Sequence, residues 1–592
     1  QRQSAFDLEA QVGDEQLRFH SASAEHRFVL WPWRELRSTE RVSWRVRVHN
    51  ETGISPWSDV ATFETGLNEE DWIASWITGP DNELPVGERP ALDFSSVFVL
   101  DSIPSSARLY AAALGVYEVF INDRRIGAAE LMPGSTSYDR TLYAQAMDPL
   151  SALTLGDNVI RIRVSDGWFR GRTDAFRKEA LWGTRTAVRA ELRVAADSGS
   201  AIAVATGPSW QVSETEIVTA DLMDGQVSDL RRTPRTLGLA TVDASLAPAV
   251  SWSPAPPVRV ITELAPVSIT RHGASELVVD FGQNASGRVR LNELGDAGAR
   301  TTLVFGEHLD QNGRVTLEHL DSPTPEGGKV AFVQRDEVVS DGSGASFEPH
   351  HTVHGFQYVQ IQRDGIDLSD TDLTAQVLHT DLRPAGHFES SNADLNRLWD
   401  AAKWSFRGNA VDVPTDCPTR ERAGWTGDWQ IFVSTAVRLY DVDGFSRKWL
   451  QSVRDDQLDD GRIRHQGRIL TADEEHAFFS KKAPRWKNKN WEELAVGDFV
   501  YLTNNESIPA DIIICATSEE EDSCFIETKN LDGETNLKAR HAVPELTSLR
   551  TPEECARASL RIDAEPQDVN MYRLNASVVL NDRFDKNGNP LQ

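Results

Sequence analysis

The chain has 592 residues, with 61 Lys and Arg against 90 Asp and Glu, a net charge of −29 and no basic tract to relieve it. That balance excludes a nucleic-acid-binding surface of the usual kind, while the length allows several domains with their own cores. No apolar run approaches the roughly 20 residues of a membrane helix, and Ile512-Ile513-Ile514-Cys515-Ala516 is far too short. Cys417, Cys515, Cys524 and Cys555 form no CxxC pair and no metal-ligand spacing, so a disulfide scaffold, a clustered metal site and a cofactor are not expected. Composition changes along the chain. Up to residue 470 there are 4 Lys, 43 Arg and 11 Asn; the last 122 residues hold 7 Lys, 7 Arg and again 11 Asn. Such a switch at one point suggests two parts of different origin, joined near 470–485.

The start shows no signal-peptide pattern and enters an alternating strand at Ala5–Ala10, as if a preceding strand were missing. Short alternating runs continue to residue 66, clearest in Val42-Ser43-Trp44-Arg45-Val46-Arg47-Val48, with a Gly-Ile-Ser-Pro turn at 53–56. This spacing predicts a small β-sandwich. A second β region opens at Asp71-Trp72-Ile73 and includes strands over Val116–Ile121 and Asn158–Val164. The Pro- and Ala-rich stretch 246–257 reads as a linker. A third β region follows, with strands at Leu277–Phe281 and His354–Ile361. Trp168, Trp182 and Tyr138 are candidates for stacking on sugar rings, although core packing is the commoner use of such aromatics.

From residue 388 the period changes to that of helices. Ser390-Ser391-Asn392 caps a stripe of Leu395, Leu398, Trp399 and Ala402; further stripes run Ile431, Ala436, Val437, Tyr440 and Phe445, Trp449, Leu450, Val453. Between the first two lies Asp416-Cys417-Pro418-Thr419-Arg420-Glu421-Arg422-Ala423-Gly424-Trp425-Thr426-Gly427-Asp428, a loop by its Pro and Gly content. Three carboxyls, two guanidiniums and an indole there form a kit for holding a sugar and protonating its leaving oxygen. The same groups would also make a structural salt-bridge network.

The 416–428 segment closely resembles the signature of bacterial α-L-rhamnosidases. Supporting residues are Pro133–Tyr138, Asp166–Gly171, Asp280–Asn284, His354–Val359 and Asp443–Leu450. The resemblance covers residues 1–470 and implies a multidomain, mainly β chain. Its order would be a fibronectin-like sandwich (1–66), a jelly-roll N-terminal domain (71–245), a second β-sandwich (258–378) and the truncated start of an (α/α)6 catalytic barrel (380–470). It further implies an inverting glycosidase acting on a rhamnose-containing glycan or glycoside, with Glu421 as general acid. Asp416, Arg420, Trp425 and Asp428 would contact the sugar. In an inverting mechanism a second carboxylate activates water on the opposite ring face. The family's base comes from a Glu far downstream that has no counterpart here, so little or no hydrolysis is expected; a carbohydrate-binding module is the alternative.

The last part reads differently. Trp491–Val500, Ile508–Ile514 and above all Glu527-Thr528-Lys529-Asn530-Leu531-Asp532-Gly533-Glu534-Thr535-Asn536-Leu537-Lys538 resemble the actuator domain of P-type ATPases, in the form of fungal phospholipid flippases. The resemblance implies a β-rich fragment over 471–592 in which Asp532, Gly533, Glu534 and Thr535 form the loop that positions water against an aspartyl phosphate. The phosphorylated segment, nucleotide domain and membrane helices are not found in this sequence, so ATPase activity is not expected. A fragment of a lipid-transporting ATPase is the third reading of the whole chain.

Overall fold

In the computed structural model the chain divides into two compact units, residues 1–470 and 471–592. The structure describes residues 2–26, 29–80, 84–173, 177–196, 199–246, 248, 250–323 and 329–457 of the first unit. In the second it describes 475–479, 486–491, 494, 498–509, 512–519, 521–528, 537–558, 560–564, 576–584 and 590–591. No described helix is long and apolar enough to cross a membrane.

The first unit opens with a five-stranded sheet in the order β2 (Glu15–Ser21), β1 (Gln3–Val12), β3 (Arg41–Asn50), β4 (Gly53–Ile54), with β5 (Ala61–Glu64) also paired to β3. Alternation sends Ala10, Val12 and Val42 to one face, where Trp31, Trp33 and Leu36 cover them. Two larger sheets follow and pack face to face. Ile77, Phe94, Leu109, Val119, Ile121, Ile160, Ile162, Leu192 and Trp210 fill the space between them. Strand Ala107–Leu114 is buried on both faces, so Leu109 and Ala111 enter this core while Tyr110 and Leu114 enter a second one with Trp72, Trp76, Tyr138 and Phe169. The stretch read as a linker is partly a strand. Val250–Trp252 pairs in parallel with Leu142–Ala144, and Trp252 donates to the Leu67 carbonyl at 3.1 Å. Proline content had signalled a break, but burial of Trp252 decides the local structure.

A nine-stranded sheet built mainly from residues 258–380 comes next. It takes in two strands from earlier in the chain: Gly225–Asp229 runs parallel to Arg335–Val339, with Ile217–Asp221 outside it. After a short helix α1 (Gly167–Arg170) in the second region, three longer helices close the unit: α2 (Ala393–Gly408), α3 (Thr426–Leu439) and α4 (Asp443–Asp455). Asn392 caps α2 by accepting from the N–H groups of Asp394 and Leu395 at 2.9 and 3.4 Å, as its sequence position predicts. Phe406, Trp429, Phe445 and Trp449 knit the helices together. Leu395, Leu398, Ile431, Val437 and Leu450 stay exposed.

In the second unit three small sheets are described: 475–479 with 486–490 and 500–501, 523–526 with 538–541, and 560–564 with 576–584 and 590–591. A short helix Pro552–Arg557 starts at a capping box between Thr551 and Glu554. Asp532, Gly533, Glu534 and Thr535 lie outside the described residues.

The jelly-roll and nine-stranded sheets meet across a buried charge network. Arg288, fully buried, donates to Glu130 at 2.9 Å and to Glu348 at 2.7 Å; Arg125 bonds Glu118 at 2.6 Å. His351 lies 3.1 Å from Glu118, and His350 3.2 Å from Glu130. Burial alone would raise both carboxyls. His350, His351 and Arg125 outweigh it at Glu118 and hold that group well below the usual range, while His350 and Arg288 hold Glu130 at about 2. A carboxyl depressed on folding adds stability above its unfolded value and loses it as pH falls through the folded one. Urea midpoints should therefore decline from the ordinary glutamate value of 4.5 toward about 2. Replacing Arg288 with Met should lower the unfolding free energy of the first unit by about 3–5 kcal/mol at pH 7, because it strands Glu130 and Glu348.

Candidate active site

The loop between α2 and α3 is tied at several points. Asp412, in the left-handed region at φ +70°, accepts from the Ser135 N–H at 2.5 Å and pairs with buried Lys448, whose ammonium also donates to the Asp412 carbonyl at 3.2 Å. Ser137 and Thr141 donate to Asp456 and Asp455 at the end of α4 at 2.6 and 2.7 Å. Residues of the Pro133–Tyr138 segment thus hold the frame of this loop. Asp416 closes the loop on itself: its N–H donates to the Ala423 carbonyl, and its Oδ1 accepts from the Ala423 N–H, both at 3.1 Å. Any side chain at Gly355 would come within 2.6 Å of the Pro418 carbonyl, so the nine-stranded sheet meets the loop through bare backbone.

The two arginines that sequence places side by side do different jobs. Arg420 donates to Glu421 Oε1 at 2.6 Å. Arg422, at φ +50°, turns the other way into the protein. Its guanidinium donates to the carbonyls of Leu222 (2.5 Å) and Thr419 (3.1 Å), to Gln334 Oε1 (2.7 Å) and to the carbonyl of Val353. No carboxylate among the described residues accepts from it, and burial with the nearby Arg177 charge pushes it down to about 10. Arg177 in turn donates to the Arg420 carbonyl at 3.2 Å and to Asp224 at 3.1 Å. Sequence reading missed Arg177, Leu222, Asp224, Gln334 and Val353. Arg177, Leu222, Gln334 and Val353 lie 69 to 243 residues from the loop arginine they meet, and none of the five carries a motif; only the fold brings them here.

Glu421 is the centre of the arrangement. Its Oε1 accepts from Arg420, and its Oε2 from the Trp425 indole at 3.2 Å. Trp425 is the N-cap residue of α3 but contributes no capping oxygen. Its indole lies against the loop instead. The Glu421 side chain is 14% exposed and that of Arg420 29%, so solvent reaches both sparingly. Arg420 Nε is buried without a partner among the described residues, a donor left over for a ligand. Burial, then the charge of Glu421, pushes Asp416 up to about 7. Asp428, in the first turn of α3, is raised by its partial burial and then by Glu421. Burial, with Asp416, pushes the Cys417 thiol up to about 12, which removes a thiolate nucleophile from consideration.

Glu421, Arg420 and Trp425 are thus in direct contact, and Asp416 and Asp428 lie close enough to feel the charge of Glu421. The other aromatic candidates do not join them. Tyr138 is 3% exposed, its hydroxyl donates to the Gly134 carbonyl at 2.6 Å, and Trp168 and Trp182 pack against the same core. The packing role applies to all three.

Family models match most of the chain. Residues 1–69 match the family described as Rha78A-like, N-terminal immunoglobulin domain, and 102–271 the alpha-L-rhamnosidase N-terminal domain. Residues 270–379 match the bacterial alpha-L-rhamnosidase concanavalin-like domain, and 383–483 the bacterial alpha-L-rhamnosidase 6 hairpin glycosidase domain. Residues 473–548 match the P-type ATPase actuator domain. An alpha-L-rhamnosidase of Streptomyces avermitilis is 32% identical over 433 residues, covering 71% of this chain and 41% of that protein. The crystal structure of an alpha-L-rhamnosidase from Aspergillus terreus superposes with a TM-score of 0.73 at 31% identity, covering 79% of this chain and 56% of the other. A phospholipid-transporting ATPase of Chaetomium thermophilum is 44% identical over 108 residues, covering 18% of this chain and 7% of that protein. The chain spans about half the length of the rhamnosidases it matches, 41% and 49% of the first two. Its front four-fifths resemble bacterial α-L-rhamnosidases, its last fifth resembles a phospholipid-flippase actuator domain, and the chain joins the two.

Proposed function

We propose that the loop 416–428 binds a terminal α-L-rhamnosyl group and that Glu421 delivers the proton to the glycosidic oxygen. The observation that carries this reading is the convergence of Arg420 and Trp425 on the two oxygens of Glu421, in a loop fastened on its far side by Arg422. Asp416 and Asp428 bridge sugar hydroxyls, the unpaired Arg420 Nε supplies a further donor, and the Trp425 ring forms a wall. Asp416, raised to about 7 by burial and then by the charge of Glu421, carries a proton part of the time at neutral pH and can then donate to a sugar hydroxyl. Inverting hydrolysis also needs a base on the opposite face, roughly 6.5–9.5 Å from the acid. The resemblance to rhamnosidases places that base far beyond residue 470, where this chain resembles a different family, so binding without efficient turnover is the function proposed for the first unit. The second unit is proposed to contribute no phosphoenzyme chemistry.

With phenyl α-L-rhamnoside, a substrate with a poor leaving group, phenol release in plain buffer should stay near the uncatalysed rate. Azide attacks without being deprotonated and should speed release, and Glu421→Gln should cut that azide-supported rate by about 100-fold or more. Full turnover in buffer that disappears in the Gln variant would mean that a base is present and would overturn the binding-only reading. Calorimetry with L-rhamnose separates the positioning role of Arg422 from the chemistry. Arg422→Met should weaken binding and destabilise the unit by about 1–3 kcal/mol for each buried acceptor left unpaired, whereas Glu421→Gln should leave the fold intact.

A further inference from the structure

Far along the chain from the loop, three side chains of the first sheet converge on one point. Asp7 stands at the middle of β1, with His20 directly opposite on β2 and Arg47 directly opposite on β3. His49 lies two residues beyond Arg47, on the same face. His20 Nδ1 is 2.6 Å from Asp7 Oδ1, and His49 Nε2 is 2.9 Å from Asp7 Oδ2. The three ligand-capable atoms all lie within 4.8 Å of one another, and the two imidazole rings meet edge to face at 5.4 Å.

We infer that Asp7, His20 and His49 form a surface site for a divalent transition-metal ion of the zinc type, bridging β2, β1 and β3. Two imidazoles and one carboxylate are a donor set that suits zinc, copper or nickel, and three protein ligands leave a further position for water. Zinc bonds of about 2.0–2.2 Å place ligand atoms roughly 3.3 Å apart. The two Asp7–imidazole contacts therefore need to open by less than 1 Å, while the imidazoles draw together. The His20 side chain is 58% exposed and gives an ion access from solvent, while those of His49 and Asp7, at 23% and 16%, are held in place by the sheet.

The simpler account is a charge cluster that neutralises Asp7. Arg47 does that alone, with its Nε 2.7 Å from Asp7 Oδ2 and its guanidinium stacked 4.6 Å over the Trp57 ring. The imidazoles are additional to it, and both arrive with a nitrogen lone pair or N–H aimed at the same carboxylate. With a metal on Oδ1, Arg47 stays on Oδ2 and orients the ligating carboxylate, the part an outer hydrogen-bond partner plays at metal centres. The next cluster along the face, Glu9 with Arg45 at 2.6 Å and Arg18 at 2.9 Å, keeps its carboxylate engaged and does not compete. The ion would add a tie across three strands that already meet through backbone bonds, the ion pairs of Asp7 and Glu9 and a small core. The site stands independently of the sugar-binding reading.

The test is titration of the chelator-treated full chain with Zn²⁺ alone, by calorimetry and by thermal unfolding, alongside His20→Ala, His49→Ala and the double variant. Wild type should bind one ion at this site and unfold at a higher temperature with Zn²⁺ present. Each single variant should lose about tenfold or more in affinity, and the double variant should lose the stabilisation. Co²⁺ should give a spectrum without the thiolate charge-transfer band that binding at a cysteine would produce. A double variant that binds as tightly and is stabilised as much as wild type, or a thiolate band in the Co²⁺ spectrum of a single bound ion, would overturn the proposal.

Discussion

The placement of the Arg422 guanidinium governs the rest of the candidate site. It is buried, held in a left-handed backbone conformation, and bonded to carbonyl and amide oxygens from three separated parts of the chain rather than to a carboxylate. Five N–H donors in a rigid plane can satisfy several acceptors at fixed angles, which a lysine cannot do. Burying that charge without a counter-ion in contact is costly. The fields of Asp221 and Asp224 offset part of it, while Arg177 adds to it. Because Arg422 faces inward, its neighbour Glu421 faces the other way, where Arg420 and Trp425 meet it. A substitution there would disturb the carboxylate without touching it.

The same logic holds across the larger interface. Arg288 bridges Glu130 of the jelly-roll region to Glu348 beside the nine-stranded sheet, with His350 and His351 between them and Glu118. Breaking such a network is far more costly than never having built it, since each remaining charge is then desolvated and unpaired. The network therefore fixes the angle between the two β regions more than it adds net stability. That angle matters because Ser135 comes from one region and Gln334 and Val353 from the other, and all three must reach the loop between α2 and α3 together.

Local pattern revealed much of this. The cap at Asn392, the strand alternation of 116–121 and 158–164, and the contacts among Arg420, Glu421 and Trp425 follow from residues a few positions apart. The burial of Trp252 in a stretch rich in proline did not. Nor did the pairing of Gly225–Asp229 with Arg335–Val339, because strand partners a hundred residues apart leave no periodic trace in one sequence. Arg177 and Asp224 were hidden for the same reason. The Leu395 and Leu398 stripe shows the converse. Its amphipathic spacing correctly gave a helix, yet those two residues are exposed, because the spacing encodes a face but not what covers it.

The anchors of the candidate loop bear on what this chain can retain. Asp412 is held by Ser135 and Lys448, Pro418 approaches Gly355, Arg420 is met by Arg177, and Arg422 reaches Leu222, Gln334 and Val353. Every one of these partners lies before residue 457, in the β regions or in α4, and none belongs to a later hairpin. The loop that carries Glu421 is therefore fastened mainly by the β regions, with Lys448 of α4 adding one tie. Preorganised donors favour binding because little order remains to be imposed when the ligand arrives.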